Sequence, residues 1–284
     1  MTIVFDGIAF GMLLFLISVG LSVTLGLMNF VNLAHGVFAM VGGYVCVILL
    51  NEYGIPFLAT IPFAVLVPAV LGVILERLLY RRLYEASALD QVLFSLGLVF
   101  MAVSIAHYFF GARQQPLHLP AFLSGQVKLL GLDVGAYRLF LVIVGVVLAL
   151  LLQWSIVRTA VGARLRAAVD NQRTARGLGI DVDRVFMLAF ALGSALAGLG
   201  GALGVEILGM DPEFAVKYLV YFLIVVTVGG TGNILGSLYA AILLGVADIA
   251  GRYYVPQIGA FIIYAIMVAI LIYRPQGLFG RAQH

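Results

Sequence analysis

Asn29, Asn32 and His35 recur at three-residue intervals within GLMNFVNLAHGVFAMVGGYV, between two apolar runs. On a helix that spacing gathers three polar groups near one face. At membrane depth such groups need partners or a water-filled cavity, so a hydrated path is one reading. The other is a turn in which Asn29 ends one helix and Asn32 caps the next. Toward the other end VTVGGTGNILGSLYAAILLGV has a similar layout, with Thr231 and Asn233 at a glycine-rich kink. Glycine-interrupted spans at corresponding places in two halves point to a transport path, because backbone freed at a break is tolerated only where protein or water surrounds it. Close helix packing through Gly229, Gly230, Gly232 and Gly236 accounts for the same glycines, and both readings can hold together.

A third constellation is basic. VRTAVGARLRAAVDNQRTARGLGIDVDRV carries six arginines. Residues 163–176 contain neither proline nor glycine, which predicts a short amphipathic helix ended by Gly177 and Gly179. Such a helix would lie across a membrane face. A plain solvated loop would not need an ordered helix closed by two glycines, so a docking element is the sharper reading.

Enzymatic constellations are poor, and no catalytic residue, metal or cofactor is expected. The histidines His35, His107, His118 and His284 show no HxxxH or HExxH spacing, the serines form no GxSxG elbow, and no Walker phosphate loop is present. Cys46 is the single cysteine, which rules out a disulfide or a thiolate metal site within one chain. Acidic residues are nearly absent from the apolar runs, which weakens an ion-coupled mechanism. GSALAGLGGALG is spaced for tight helix contact and reads as structural.

The elements that must position these residues follow from composition. Of 284 residues, 63% are hydrophobic and 10% charged, against about 25% charged in soluble domains. The apolar runs repeatedly approach the roughly 20 residues that cross the hydrocarbon layer. An all-α, polytopic membrane protein is expected, with the bilayer as solvent and lipid as a partner. The formal net charge of +3 is small and sits in the breaks between runs, which points to membrane topology rather than nucleic acid. Met1–Phe5 lack the basic start of a cleaved signal, so the first run is expected to be a retained span.

Candidate spans fall at residues 7–28, 34–51, 57–75, 91–111, 138–157, 185–208, 217–250 and 257–273, about eight transmembrane or re-entrant segments in one domain. The run 217–250 is too long for one crossing and is read as two segments or a broken helix. Arg77, Arg81 and Arg82 follow the third span, and six arginines follow the fifth. The positive-inside rule puts both breaks, including residues 158–184, in the cytoplasm, the N-terminus outside and, from Arg274 and Arg281, the C-terminus inside. Residues 111–137 then form an external loop with a short interfacial helix. Trp154, Tyr80, Tyr84, Tyr253 and Tyr254, near span ends, read as headgroup anchors.

Four strings, in order, resemble the bacterial branched-chain amino-acid ABC permeases: GLMNFVNLAHGVFAMVGGYV, RAAVDNQRTARGLGIDVDRV, VGGTGNILGSLYAAILLG and YRPQGLFGR. The resemblance covers nearly the whole chain. It implies an inner-membrane importer in which two permease chains sit with two cytoplasmic ATP-binding subunits and a soluble periplasmic substrate-binding protein. The chain looks like the shorter of the two permeases, in a heterodimer or homodimer. Carried over residue by residue, Ala167, Ala168, Asp170 and Gly179 match the loop that docks into the ATPase. The general form of that loop has Glu-Ala-Ala, whereas here Ala-Ala precedes Val169 and Asp170. With Arg164, Arg166 and Gly177 these make the expected coupling loop; Asn29, Asn32, His35, Thr231 and Asn233 are the expected pathway or gate. The alternatives are a permease of the same architecture for urea or amides, sugars or nucleosides, an ion-coupled carrier or channel, and an intramembrane enzyme.

Overall fold

The computed structural model describes residues 2–280 other than 29, 31, 85, 118, 130 and 131. Asn29 and Arg281 therefore lie outside the described residues. In chain order the helices are α1 (Thr2–Met28), α2 (His35–Asn51), α3 (Phe57–Leu78), α4 (Ala88–Phe110), α5 (Ala121–Ser124), α6 (Ala136–Arg158), α7 (Ala160–Asp170), α8 (Gln172–Gly177), α9 (Val182–Leu208), α10 (Phe214–Lys217), α11 (Leu219–Gly229), α12 (Ile234–Tyr254) and α13 (Gly259–Tyr273). A short 3-10 turn (Tyr80–Leu83) follows α3. Among the described residues six helices are long and apolar enough to cross a bilayer, and the apolar stretches in α2, residues 214–229 and α13 are shorter.

The membrane-spanning architecture is all-α, as expected, and the loop 111–137 adds one detail: besides the four-residue α5 it holds a small antiparallel hairpin of β1 (Gln126–Leu129) and β2 (Leu132–Gly135) that the sequence pattern does not predict. Val127, Val134 and Leu129 suit an extended chain, but the run is too short to show period two. One expectation is corrected: Tyr80 and Tyr84 are not headgroup anchors. Tyr80 is buried among Phe30, Phe94 and Phe190, and Tyr84 packs edge-on against Phe30 and Phe186. Trp154, Tyr253 and Tyr254 are exposed, as anchors must be.

The bundle is organised around α1 and α9. Helix α1 is apolar all round, and 89% of its most apolar 18-residue stretch is buried; a helix without a polar face belongs in the centre. In a bilayer, helices are held by close packing rather than by hydrophobic expulsion, so small residues decide which faces meet. Along α1, Gly7 and Gly11 face Gly245, Ala241 and Val246 of α12, so closely that a Cβ on any of these glycines would strike backbone. The two helices run antiparallel. The GSALAGLGGALG segment of α9 meets three helices: Gly193 and Gly200 meet α1, Gly198 meets Ala64 and Pro68 of α3, and Gly201 meets Ala39 of α2.

Alternating helix directions sort the connections into two ends. One end holds the 28–35 and 229–234 breaks, the 78–88 turn, α7, α8 and residues 274–280. Contacts tie it together: Gly26 against Gly232, Phe30 against Tyr80, and Arg81 and Arg176 with Asp183. Among the described basic residues, the opposite end holds only Arg113, Lys128, Arg138, Lys217 and Arg252. The arginine excess thus gathers at one end, the pattern of a cytoplasmic face.

Candidate functional site

The two glycine breaks meet. A Cβ on Gly26 would overlap Gly232, which itself has φ +76, so the chain at both breaks needs glycine for different reasons: closeness at one and a left-handed backbone at the other. One turn further in, Ser22 of α1 and Ser237 of α12 hydrogen-bond at 3.0 Å.

Among the described residues, Asn32, His35 and Asn233 each bond to a different neighbouring segment. Asn32 is buried; its Oδ1 accepts from the Ala34 backbone N–H at 3.1 Å and from the Tyr80 hydroxyl at 3.0 Å. It shapes the turn into α2 and holds that turn to the segment after α3. His35 is buried in the first turn of α2, and its Nε2 donates to the Ile17 carbonyl of α1 at 2.8 Å. Asn233 caps α12: Oδ1 accepts from the Gly236 N–H at 2.9 Å, while Nδ2 donates to the Phe279 carbonyl at 3.1 Å. Thr231 is exposed. The C-terminal segment straps this second break, with Leu278 N–H bonded to the Val228 carbonyl at 2.7 Å and the Phe279 ring stacked on Tyr239.

The basic face is ordered by caps. Thr159 caps α7 by accepting from the Gly162 N–H at 3.1 Å, and its own hydroxyl donates to the Ser155 carbonyl at 2.6 Å. A Cβ on Gly162 would overlap the Ile156 carbonyl, so α6 can turn into α7 this sharply only with glycine there. Arg166 donates to that same Ile156 carbonyl, closing the end of α6.

The expected single helix over residues 163–176 is two. Asn171 adopts an extended conformation (φ −153, ψ 101) and its side chain accepts from the Thr174 N–H at 2.9 Å, which ends α7 and starts α8. An Asn competes well with helix continuation in this way. Gly177 is the last residue of α8, and Gly179 turns with φ +80 toward Asp181, which caps α9. Leu165 and Ala168 of α7 are buried against the bundle, whereas Arg164, Arg166 and Asp170 are exposed and Ala167 is half-buried. Ala168 is therefore an anchor of the helix on its own chain.

Residues that periodicity did not single out lock this face. Asp183, in the first turn of α9, bonds to Arg176 of α8 at 3.1 Å and to Arg81 beyond α3. Glu76, buried near the end of α3, accepts from the Tyr84 hydroxyl at 2.8 Å. Burial and the neighbouring Glu76 push the Tyr84 hydroxyl far above its usual range, so it remains a donor. Charge alone marks such residues in a sequence; the pairing of Arg81 with Asp183 across 102 positions is not readable there. At the opposite end Asp248, fully buried in α12, is held by Arg252 at 2.8 Å, and Arg252 also donates to Tyr221. Among the described residues no three His, Cys, Asp or Glu side chains group closely enough to hold a metal ion.

The family described as the branched-chain amino acid transport system permease component matches residues 3–271. The chain is 23% identical to the high-affinity branched-chain amino acid transport system permease protein BraD of Pseudomonas aeruginosa, over 98% of this chain and 95% of that one. It is 28% identical to the probable branched-chain amino acid transport permease protein LivH of Methanocaldococcus jannaschii, over 96% and 90%. Similarity to LivM of Escherichia coli K12, at 25% identity, spans 94% of this chain but 68% of that longer one. No solved structure matches the chain significantly.

Proposed function

We infer the role from this identity: the chain belongs to the branched-chain amino acid transport system permease family, of the shorter, LivH-like kind. It is the transmembrane permease subunit of an ABC importer that moves branched-chain amino acids from a periplasmic binding protein to the cytoplasm on ATP hydrolysis by two partner subunits. A second permease chain completes the pathway. The observation that carries this reading is the family match over nearly the whole chain. The geometry adds an ordered, capped pair of helices, α7 and α8, with exposed arginines on the arginine-rich end, where an ATP-binding subunit can dock.

In the mechanism we propose, closure of the ATPases moves α7 and α8, and the motion passes through Asp183 to α9 and the end of α3. Asn29, Asn32, His35, Thr231 and Asn233 act as a gate at the two breaks, each break being tied to its neighbouring segments, rather than as a binding site. The bonds of Asn32, His35 and Asn233 to neighbouring segments support this assignment. Nucleotide shifts such an equilibrium only by favouring one arrangement over the other. Affinity purification of the chain from its own membrane tests the reading. Two copies of an ATP-binding subunit should accompany it, and leucine uptake into liposomes should require them, ATP and the binding protein. Uptake by this chain alone would instead mark a secondary carrier.

A further inference from the structure

Beside α7 lies a groove of about 500 Å3 whose walls come from two different environments. Val161 and Leu178 belong to the basic end, and both are exposed. Val185, Leu188 and Leu192 belong to α9, which enters the bundle from that end. At 1.5 Å per residue, Leu188 and Leu192 lie about 6 and 12 Å deeper than Arg184. Leu188 and Leu192 are nevertheless exposed, so the groove opens sideways from α9. Arg164 and Arg184 also line it. Asp181 pairs with Arg184 at 2.7 Å, and Arg164 has no carboxylate partner among the described residues, which leaves the lining with one uncompensated positive charge.

We propose that this groove is a binding site for one anionic phospholipid, its phosphate between Arg164 and Arg184 and the upper part of an acyl chain along Leu188 and Leu192. Both ends of the ligand are specified. The deep part lies where lipid, not water, is the solvent, so an apolar chain is the occupant at hand. The upper part lies at headgroup level, where uncompensated arginine attracts anionic lipid on the cytoplasmic side. Arginine in particular suits phosphate, because its planar fork can bind two oxygens at once. A bound lipid would wedge α7 against α9, so the site is placed to steady the helix that carries Arg164 and Arg166.

The test is retention of lipid by the permease purified together with its accompanying subunits. After exchange into detergent and incubation with equal phosphatidylglycerol and phosphatidylcholine, native mass spectrometry should show one phosphatidylglycerol per chain, at least five-fold preferred. Arg164→Gln should reduce that preference to below two-fold, and Leu188→Trp, which fills the groove, should remove the lipid. Leu66→Trp, on the exposed face of α3, should leave it bound. Phosphatidylglycerol should also raise the unfolding temperature of the unaltered protein more than phosphatidylcholine does, a readout that needs no variant. Equal retention of the two lipids, or retention unchanged in both groove variants, overturns the proposal. So does displacement by millimolar inorganic phosphate, which marks a free-anion site, or lipid that binds only after the accompanying subunits are stripped, which marks a protein-covered groove. None of these readouts depends on transport.

Discussion

Ser22 and Ser237 share a hydrogen bond of 3.0 Å across 215 positions of sequence, and the bond lies where α1 and α12 cross beside the two glycine breaks. Both hydroxyls are fully buried. The contact exists because Gly7, Gly11, Gly26, Gly232 and Gly245 let the two backbones approach on either side of it. Packing sets the distance and the hydroxyls then fix the register. Ser22→Ala and Ser237→Ala should each cost little, with a coupling in the double-mutant cycle of about 0.6 kcal/mol, the usual size for a hydrogen bond between membrane helices. Thermal unfolding in detergent reads it, and a coupling of zero would show that the bond holds nothing.

Glycine contacts should be far more costly than the hydroxyls. Gly201→Val forces a side chain into the Ala39 carbonyl of α2, and backbone cannot yield as a flexible side chain can. The variant should fail to reach the membrane in folded form, judged by monodisperse elution after solubilisation. Gly97→Ala in α4, where a Cβ meets nothing within 4 Å, is the matched control. It should be neutral or stabilised by up to about 1 kcal/mol through helix propensity.

Reversing Arg164 and Arg166 to Glu should uncouple the machine. Insertion and folding survive, because the buried side chains Leu165 and Ala168 seat α7 on the bundle and the reversal removes only the exposed bond of Arg166 to the Ile156 carbonyl. Uptake and stimulation of ATP hydrolysis by the loaded binding protein should fall at least ten-fold. Full stimulation and uptake in the double variant would remove the coupling role.

Asp183→Asn separates stability from coupling in another way. Exposed ion pairs contribute about 0–1 kcal/mol, so the unfolding temperature should hardly move. The link from α8 to α9 and Arg81 is nevertheless lost, and ATP hydrolysis should continue while uptake per ATP falls several-fold. A variant with normal uptake per ATP would show that the motion takes another route.

Cysteine labelling tests the gate. Cys46 is buried and bonded to Thr60, so the unaltered chain should give little background with a water-soluble thiol reagent. Thr231→Cys should react at rest. Asn32→Cys and His35→Cys should react only while ATP is being hydrolysed, when the breaks part. Silence of both in every nucleotide state would make them packing residues.

The class of protein and its order of spans are set by counting apolar residues. Long uncharged runs have one stable environment, and arginine in the breaks orients them, so α1, α3, α4, α6, α9 and α12 were legible from sequence to within several residues. The small-residue segment of α9 was legible as a packing surface. The partners of each polar group were not. Asn32 reads equally as a pore residue or as part of a turn until Tyr80 is seen beside it, and His35 until Ile17 is. Asp183 joins two arginines that the sequence lists in separate breaks. Composition and periodicity act through free energies summed along the chain, whereas a hydrogen bond within about 3 Å depends on how whole helices cross. In this bundle those crossings are decided by where glycine lets two backbones touch.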